Sequence, residues 1–251
     1  MEKIAILADS GCQIPVDSRE NEGIFIAPLT ITMEGKSYLD DIEIHSIDVF
    51  KRMEKDDIMV MTSQPSTGSL QEAVQKIKDQ GYSHVIGLPI ATGLSSTMNG
   101  MKLACDMLEM PVTLVDTKGT ASNQKYLVEV AAKLAREGKS PEEIKDILEK
   151  LVEDSATIIM VPNLDHLKKG GRITPAVAAL AGLLKIVPIM KLNCPCFKYN
   201  SCISIAILKT STTVSIVSTL CVIFFSLLLF VFSNILITNT TNTHMSSNYS
   251  W

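Results

Sequence analysis

Short apolar segments alternate with longer amphipathic segments along the first 160 residues, and this alternation limits the possible folds more than any other feature of the sequence. The chain opens with an apolar run within residues 1–10, too short for a signal peptide, which predicts a buried strand followed by a loop. Four more runs predict strands, at Ile24–Ile31, His84–Pro89, Val112–Asp116 and Ala156–Pro162. Strands that alternate with helices favour a layered α/β domain with a mostly parallel sheet.

Three of the intervening segments have apolar residues at helical spacing. Ser69–Gln80 and Ser122–Glu137 each place four apolar side chains on one face. A third helix is expected to begin at Ser140, because an N-cap serine, Pro141 and two acidic residues are typical of a helix start. The predicted buried faces are Leu70, Ala73, Val74 and Ile77; Leu127, Val130, Ala131 and Leu134; and Ile144, Ile147, Leu148 and Leu151.

Two loops ahead of predicted helices are rich in hydroxyl groups. One covers residues 62–69 (TSQPSTGS) and the other covers residues 91–97 (ATGLSST). Ligands of open α/β sheets bind outside the carboxyl ends of the strands, and hydroxyls with free main-chain N–H groups suit a carboxylate or a phosphate. The same residues also fit ordinary helix N-caps, so the loops alone favour neither interpretation.

A third segment, residues 164–174 (LDHLKKGGRIT), combines paired glycines with Arg172. The glycines allow a sharp turn and a close approach of the backbone, and a guanidinium suits a carboxylate or phosphate. The segment fits equally well as a helix C-terminus with lysines and a glycine cap.

Charge is distributed unevenly along the chain. Residues 1–193 hold 21 of the 23 basic residues and all 27 acidic ones, whereas residues 194–251 hold four of the six cysteines and an uncharged apolar stretch, 214–237. The first segment has the composition of a soluble globular protein, and the pI of about 5.6 argues against a nucleic-acid partner. The isolated Cys12 and Cys105 are typical of a reduced, cytoplasmic protein.

Sequence motifs of common enzyme classes are absent: there is no Walker loop, dinucleotide-binding glycine motif, nucleophile elbow or zinc-protease motif. Asp9, Asp40, Asp41 and Asp116 are candidates for a metal or acid–base set, but their positions at strand ends suit turn and cap roles at least as well. The residues therefore predict an anion-binding α/β protein without obvious catalytic machinery. The alternative is an enzyme acting on a small phosphorylated or carbonyl substrate, with His84 or Asp116 as its base.

The order of the motifs resembles the DegV family of bacterial fatty-acid-binding proteins, which includes the acyl-carrying subunits of fatty acid kinase. The resemblance covers residues 3–192. It implies a two-domain fold, with a parallel-sheet α/β domain at 1–155 and the incomplete start of a C-terminal α+β domain at 156–193. The motifs that carry it are Asp9-Ser10, Pro28-Leu29, residues 62–66 (TSQPS), 93–97 (GLSST), 115–117 (VDT) and 167–173 (LKKGGRI).

The resemblance also implies a ligand and a site. A long-chain fatty acid would be buried in an apolar tunnel, with its carboxylate bound by Thr62 and Ser95. The protein would be a non-catalytic carrier without a metal or other cofactor. It would present the carboxylate to the ATP-binding subunit of fatty acid kinase and contact membranes for lipid exchange. The supporting residues would be Ser63, Ser96, Thr97 and Arg172.

Two features depart from the family pattern. Ser96 stands where the family usually has glycine, so a shift in the local loop geometry is expected. The match to the family pattern also stops after Leu192. The rest of the family's C-terminal domain, which includes a histidine that can support the head-group site, has no counterpart in this sequence. Residues 194–251 fit a frameshifted or read-through end better than a membrane anchor. Because 214–237 is long enough to span a bilayer, a membrane-anchored interaction protein is a third alternative.

Overall fold

The computed structural model of the chain describes residues 2–56, 58–161, 164–173, 187–192 and 204–208. The apolar stretch 214–237 lies outside these residues, so both interpretations of the tail stay predictions, as does the domain boundary at residue 155. No helix within the described residues is long and apolar enough to cross a membrane.

The described residues form the following strands and α-helices. The strands are β1 (Ile4–Asp9), β2 (Ile24–Ala27), β3 (Thr30–Met33), β4 (Lys36–Leu39), β5 (Val60–Ser63), β6 (His84–Leu88), β7 (Val112–Leu114), β8 (Thr157–Met160), β9 (Val187–Leu192) and β10 (Ser204–Leu208). The helices are α1 (Ser46–Asp56), α2 (Thr67–Asp79), α3 (Thr97–Met107), α4 (Ala121–Arg136), α5 (Pro141–Glu153) and α6 (Asp165–Lys169).

A parallel sheet in the order β2-β1-β6-β7 confirms the predicted α/β fold. Every residue of β1 is buried, because the sheet is covered on both faces. Ala5 and Leu7 pack with α2 and α3 on one face, and Ile4 and Ile6 pack with α4 and α5 on the other. Two apolar layers therefore hold the sheet and fix the positions of the loops at its edges.

The predicted helices appear with their predicted buried faces. On α2, Leu70, Val74 and Ile77 are completely buried. The predicted start of α5 is a capping box: the Glu143 main-chain N–H donates to the Ser140 hydroxyl at 3.2 Å, and the Ser140 N–H donates to the Glu143 carboxylate at 3.0 Å.

A second sheet is antiparallel, in the order β4-β3-β5. It corrects the prediction of one strand over Ile24–Ile31, because β2 ends at Ala27 in the parallel sheet and β3 starts at Thr30 in the second sheet. Pro28 has no N–H group to continue the parallel ladder, and the chain changes sheets there. The neighbouring Leu29 bonds elsewhere, accepting a hydrogen bond from Asp40 N and donating one to the Ser10 hydroxyl.

A third sheet, in the order β10-β9-β8, is also antiparallel. Its strand β8 begins at Thr157, directly after α5 and close to the predicted domain boundary. The short helix α6 follows β8 and ends at the paired glycines.

Candidate functional site

A cavity of about 540 Å³ is lined by residues of the second sheet, α1, the loop after β6 and the segment from α6 to Arg172. Such a volume is typical of sites for small organic ligands. Most of the wall is apolar, and a few hydroxyl and charged side chains interrupt it. Its apolar residues include Ile31, Val49, Phe50, Met53, Ile90 and Leu94, and its polar side chains include Ser10, Asp40, Thr62, Ser63, Ser95 and Arg172.

The first hydroxyl segment reaches the cavity from the end of β5. Thr62 pairs with Ile31 of β3, and Ser63 pairs with Thr30. Residues 62–69 were predicted to be a loop, but Thr62 and Ser63 are the last two residues of β5 in the antiparallel second sheet. Ser66, in the same segment, is an ordinary helix N-cap. Its hydroxyl accepts a hydrogen bond from Ser69 N at 3.0 Å at the start of α2.

The second hydroxyl segment reaches the cavity from the loop between β6 and α3. Main-chain hydrogen bonds to the Ala91 carbonyl hold the turn, with donors Leu94 N at 2.8 Å and Ser95 N at 3.2 Å. The Ser95 hydroxyl lies at the cavity and is hydrogen-bonded to the Thr97 hydroxyl at 2.8 Å. Thr97 is completely buried, so it contacts Ser95 from behind and does not line the cavity.

The predicted site residues are therefore divided between two locations. Ser63 and Arg172 share the cavity with Thr62 and Ser95, whereas Ser96 and Thr97 do not line it. Ser96 is exposed and begins α3 with φ −88°, a value that any residue adopts. A serine in place of the family's glycine therefore needs no unusual backbone geometry here.

Arg172 lies between the two hydroxyl segments. Its Nη2 donates a hydrogen bond to the Thr62 carbonyl at 3.1 Å, and its Nε donates to the Leu94 carbonyl at 3.2 Å. A third bond runs from Nη1 to the Gly170 carbonyl at 2.8 Å. The guanidinium is half-buried and contacts the backbone of both segments that carry the candidate hydroxyls.

The two glycines before Arg172 have different roles, and the helix-end interpretation of this segment is confirmed. The segment ends helix α6, since Gly171 N donates to the Lys168 carbonyl at 3.0 Å. Gly171 adopts φ +75°, which favours glycine. At Gly170 a Cβ would lie 3.2 Å from Arg172 Nη1, so the missing side chain leaves room for the guanidinium.

A second polar group lies at the cavity wall around Ser10 and Asp40. The Ser10 hydroxyl donates to the Asp40 carboxylate at 2.7 Å and accepts a hydrogen bond from Leu29 N at 3.0 Å. Burial raises the pKa of Asp40 above its usual range, and the charge of neighbouring Asp41 raises it further. This wall is therefore acidic, whereas the wall beside Arg172 is basic.

Asp9 lies behind this wall and has a structural role. It is completely buried, and its carboxylate accepts hydrogen bonds from Gly11 N at 3.0 Å, Ile90 N at 2.7 Å and Gln124 Nε2 at 3.2 Å. Burial raises the pKa of Asp9 above its usual range despite these bonds. The carboxylate joins the end of β1 to the loop after β6 and to α4.

The residues proposed for the alternative enzyme lie away from the cavity wall. His84 starts β6 and forms a hydrogen bond with the Thr113 hydroxyl at 2.9 Å. The Asp116 carboxylate accepts hydrogen bonds from Thr92 and from Lys118 N. Among the described residues, no group of three or more His, Cys, Asp or Glu side chains is arranged to hold a metal ion.

Some residues of the cavity wall were not predicted from the sequence. Helix α1 contributes Val49, Phe50 and Met53, and α6 contributes His166. The apolar residues of α1 stand at helical spacing, a signal that was available in the sequence. His166 carried no such signal, because only the fold brings α6 beside β5.

The layers and the cavity define an α/β protein with one mostly apolar cavity at the ends of two sheets. The model of the DegV family, described as "Uncharacterised protein, DegV family", matches residues 3–195. The chain belongs to the DegV family, as its motifs predicted.

Relatives and solved structures agree with this assignment. A DegV domain-containing protein of Staphylococcus aureus is 33% identical over 193 residues, which cover 77% of this chain and 68% of the relative. A Thermus thermophilus DegV family protein, whose structure is described for its fatty acid binding, has a TM-score of 0.65 and 31% identity, with 76% of this chain and 68% of that one covered. DegV of Bacillus subtilis, described as a fatty acid binding protein, has a TM-score of 0.68 and 26% identity, with 90% and 77% covered.

Proposed function

We propose that this protein binds one long-chain fatty acid, with the carboxylate at Thr62 and Ser95 and the acyl chain along the apolar wall of the cavity. The observation that carries the proposal is that two hydroxyl segments from different sheets meet at one mostly apolar cavity. The fatty acid binding described for the neighbours from Thermus thermophilus and Bacillus subtilis supports it.

The polar groups suit a carboxylate. Thr62, Ser63 and Ser95 supply neutral hydroxyl donors, and a carboxylate accepts several hydrogen bonds at once. Neutral donors bind an anion without the desolvation cost of burying a countercharge. The guanidinium of Arg172 adds positive charge on the same side of the cavity.

The apolar wall provides the free energy of binding for the acyl chain. Burying each methylene of a fatty acid contributes about 0.8 kcal/mol. Asp40 makes another part of the wall acidic, so repulsion favours the orientation that places the carboxylate beside Arg172. The cavity thus binds both parts of the ligand and distinguishes them by charge.

We extend the proposal to presentation of the carboxylate to the ATP-binding subunit of a fatty acid kinase. Thr62 and Ser63 are exposed, so a carboxylate bound there is within reach of a second protein. The kinase would transfer the γ-phosphoryl group of ATP to a carboxylate oxygen, forming an acyl phosphate and ADP. This chain would act in the cytoplasm as the carrier and supply no catalytic group.

Lipid exchange with a membrane is part of the same proposal. Phe50 and Met61 both line the cavity and are 64% and 45% exposed. Apolar side chains at the opening would let an acyl chain pass between a bilayer and the cavity without crossing water. Phe50→Ser should therefore slow the transfer of oleate from lipid vesicles more than it weakens binding of oleate added in solution.

Mass spectrometry of lipids extracted from the purified protein tests the central proposal. We expect a long-chain fatty acid at close to one per chain, and its loss in the variant carrying Thr62→Ala and Ser95→Ala. A matched control is Thr32→Ala with Ser37→Ala, because these two hydroxyls bond each other at 3.0 Å and do not line the cavity. Protein that takes up no added oleate, or equal uptake by both double variants, would contradict the proposal.

A separate experiment tests the kinase partner. Oleate-loaded protein, a fatty acid kinase ATP-binding subunit and ATP should yield acyl phosphate, trapped with hydroxylamine as a hydroxamate. Oleate binding without hydroxamate would leave a fatty-acid-binding protein and exclude presentation to that kinase.

A further inference from the structure

The two hydroxyl segments have no common sheet to hold them in place. Thr62 belongs to the antiparallel second sheet, whereas Ser95 follows β6 of the parallel sheet. A carboxylate bridged by both hydroxyls needs their separation fixed to a fraction of an ångström. Some contact must therefore set the distance between the segments.

We propose that Arg172 is a positioning residue that fixes the two segments relative to each other before the ligand arrives. Its Nη2 bonds the carbonyl of Thr62 itself, and its Nε bonds the carbonyl of Leu94, the residue before Ser95. The guanidinium is planar, so these two donors keep a fixed separation and direction. The two carbonyls are held by one rigid group.

This role differs from direct pairing of Arg172 with an anion. A guanidinium carries five N–H groups, and three of them donate to the carbonyls of Thr62, Leu94 and Gly170. The other two N–H groups make no hydrogen bond to the residues that the structure describes, so positioning and ligand contact are compatible. Lysine would keep the positive charge, but its single ammonium cannot reproduce the fork.

Gly170 provides a second way to test the same contact. Its backbone has φ −73°, which alanine also adopts, but an added Cβ would lie 3.0 Å from the His166 carbonyl and 3.2 Å from Arg172 Nη1. Gly170→Ala therefore displaces the guanidinium without removing its charge.

Hydrogen exchange on the ligand-free full chain tests the structural part of the inference. We expect Arg172→Lys, Arg172→Gln and Gly170→Ala each to raise exchange in residues 62–64 and 92–97 together, by about tenfold. The surface substitution Arg52→Gln, at an exposed residue that does not line the cavity, should change neither segment by more than about twofold. Unchanged exchange in either segment of the Arg172 variants would overturn the inference.

A double-mutant cycle with oleate tests the functional part, which rests on the proposed function. Arg172→Gln alone should weaken oleate binding about tenfold. In the Ser95→Ala background, which keeps one hydroxyl for the ligand, it should weaken binding less than twofold further, because Arg172 no longer has two hydroxyls to align. An undiminished tenfold loss in that background would mean direct pairing and overturn the inference.

Different results would contradict the proposed fatty-acid binding and the positioning role of Arg172. If the unsubstituted protein binds no oleate, the proposed function fails while the exchange experiment still decides whether Arg172 holds the segments. If oleate binds and is lost on Thr62→Ala with Ser95→Ala, but Arg172→Lys retains full affinity and normal exchange, the positioning role fails alone.

Discussion

The hydroxyl oxygens of Ser95 and Thr97 lie 2.8 Å apart, one at the cavity wall and the other completely buried behind it. A buried hydroxyl that bonds a binding-site hydroxyl limits the directions in which the outer one can donate. Thr97 therefore controls the orientation of Ser95 although it cannot touch a ligand itself.

The first prediction is that Thr97→Val weakens oleate binding about threefold to tenfold, because Ser95 loses the hydrogen bond that orients it. Isothermal titration calorimetry would measure the change. Thr97→Ser keeps the hydroxyl and should keep affinity within about twofold, even if the lost methyl group lowers stability by about 1 kcal/mol. A valine variant with unchanged affinity would contradict this role.

The second prediction concerns Asp40. The residue follows Leu39 of β4, which pairs with Thr30 of β3, and Thr30 pairs with Ser63 of β5. Two strand spacings therefore separate this region from the hydroxyl segment, about 10 Å. Removing the charge with Asp40→Asn should strengthen oleate binding a few-fold at pH 7, since repulsion across that distance is lost.

The pH dependence follows from the raised pKa of Asp40. Lowering the pH through that pKa neutralises the Asp40 carboxylate, so the oleate affinity of the unsubstituted protein should approach that of Asp40→Asn as the pH falls. Titration of the oleate carboxylate itself affects both proteins equally. Folding favours the protonated form of this residue, so its contribution to the free energy of unfolding is present below the ordinary pKa of 3.8 and lost as the pH rises. Isothermal titration calorimetry across pH 4–7 would measure the oleate affinity of both proteins. If affinity changes equally with pH in the two proteins, the charge of Asp40 has no effect on binding.

The third prediction concerns Gly171 at φ +75°, where no neighbour lies within 4 Å of an added Cβ. Gly171→Ala should destabilise the end of α6 by about 1 kcal/mol, entirely through backbone strain. Gly171→Asn should cost less, because asparagine tolerates the left-handed region better. Amide exchange at residues 170–173 would measure both, and equal effects of the two substitutions would rule out strain as the cause.

The fourth prediction concerns global stability. Ser140→Ala removes the half of the capping box of α5 in which the Glu143 N–H donates to the Ser140 hydroxyl, and it should lower the free energy of unfolding by about 1 kcal/mol. Urea unfolding followed by circular dichroism would measure it. Ser122→Ala, an exposed serine in the first turn of α4, is the control and should change stability by less than about 0.5 kcal/mol.

The sequence predicted the parallel sheet and its helices well, because burial on both faces leaves a strong pattern. All residues of β1 are apolar or small up to Asp9, and α2 repeats buried residues at Leu70, Val74 and Ile77. The change of sheet at Pro28 was missed, since the apolar run continues on both sides of it. Only pairing between distant segments, such as Thr62 with Ile31, defines the second sheet.

The candidate site was also predicted only in part. Thr62, Ser95 and Arg172 belong to motifs, and they line one cavity. Residues of α1 and His166 also line the cavity. Their place in its wall depends on how α1 and α6 pack against the sheets, and residue types alone do not predict that packing. The motif also suggested Thr97 as a member of the site, without indicating that it lies behind Ser95.

The bond between Arg172 and the Thr62 carbonyl joins residues 110 positions apart. On the ribosome, both hydroxyl segments and the parallel sheet emerge first, and Arg172 follows after a delay on the order of seconds. A nascent chain in which α5 has left the ribosome and Arg172 has not would hold a parallel sheet covered on both faces and an incomplete cavity. The contact that joins the two hydroxyl segments thus forms late in synthesis, after the core that supports them.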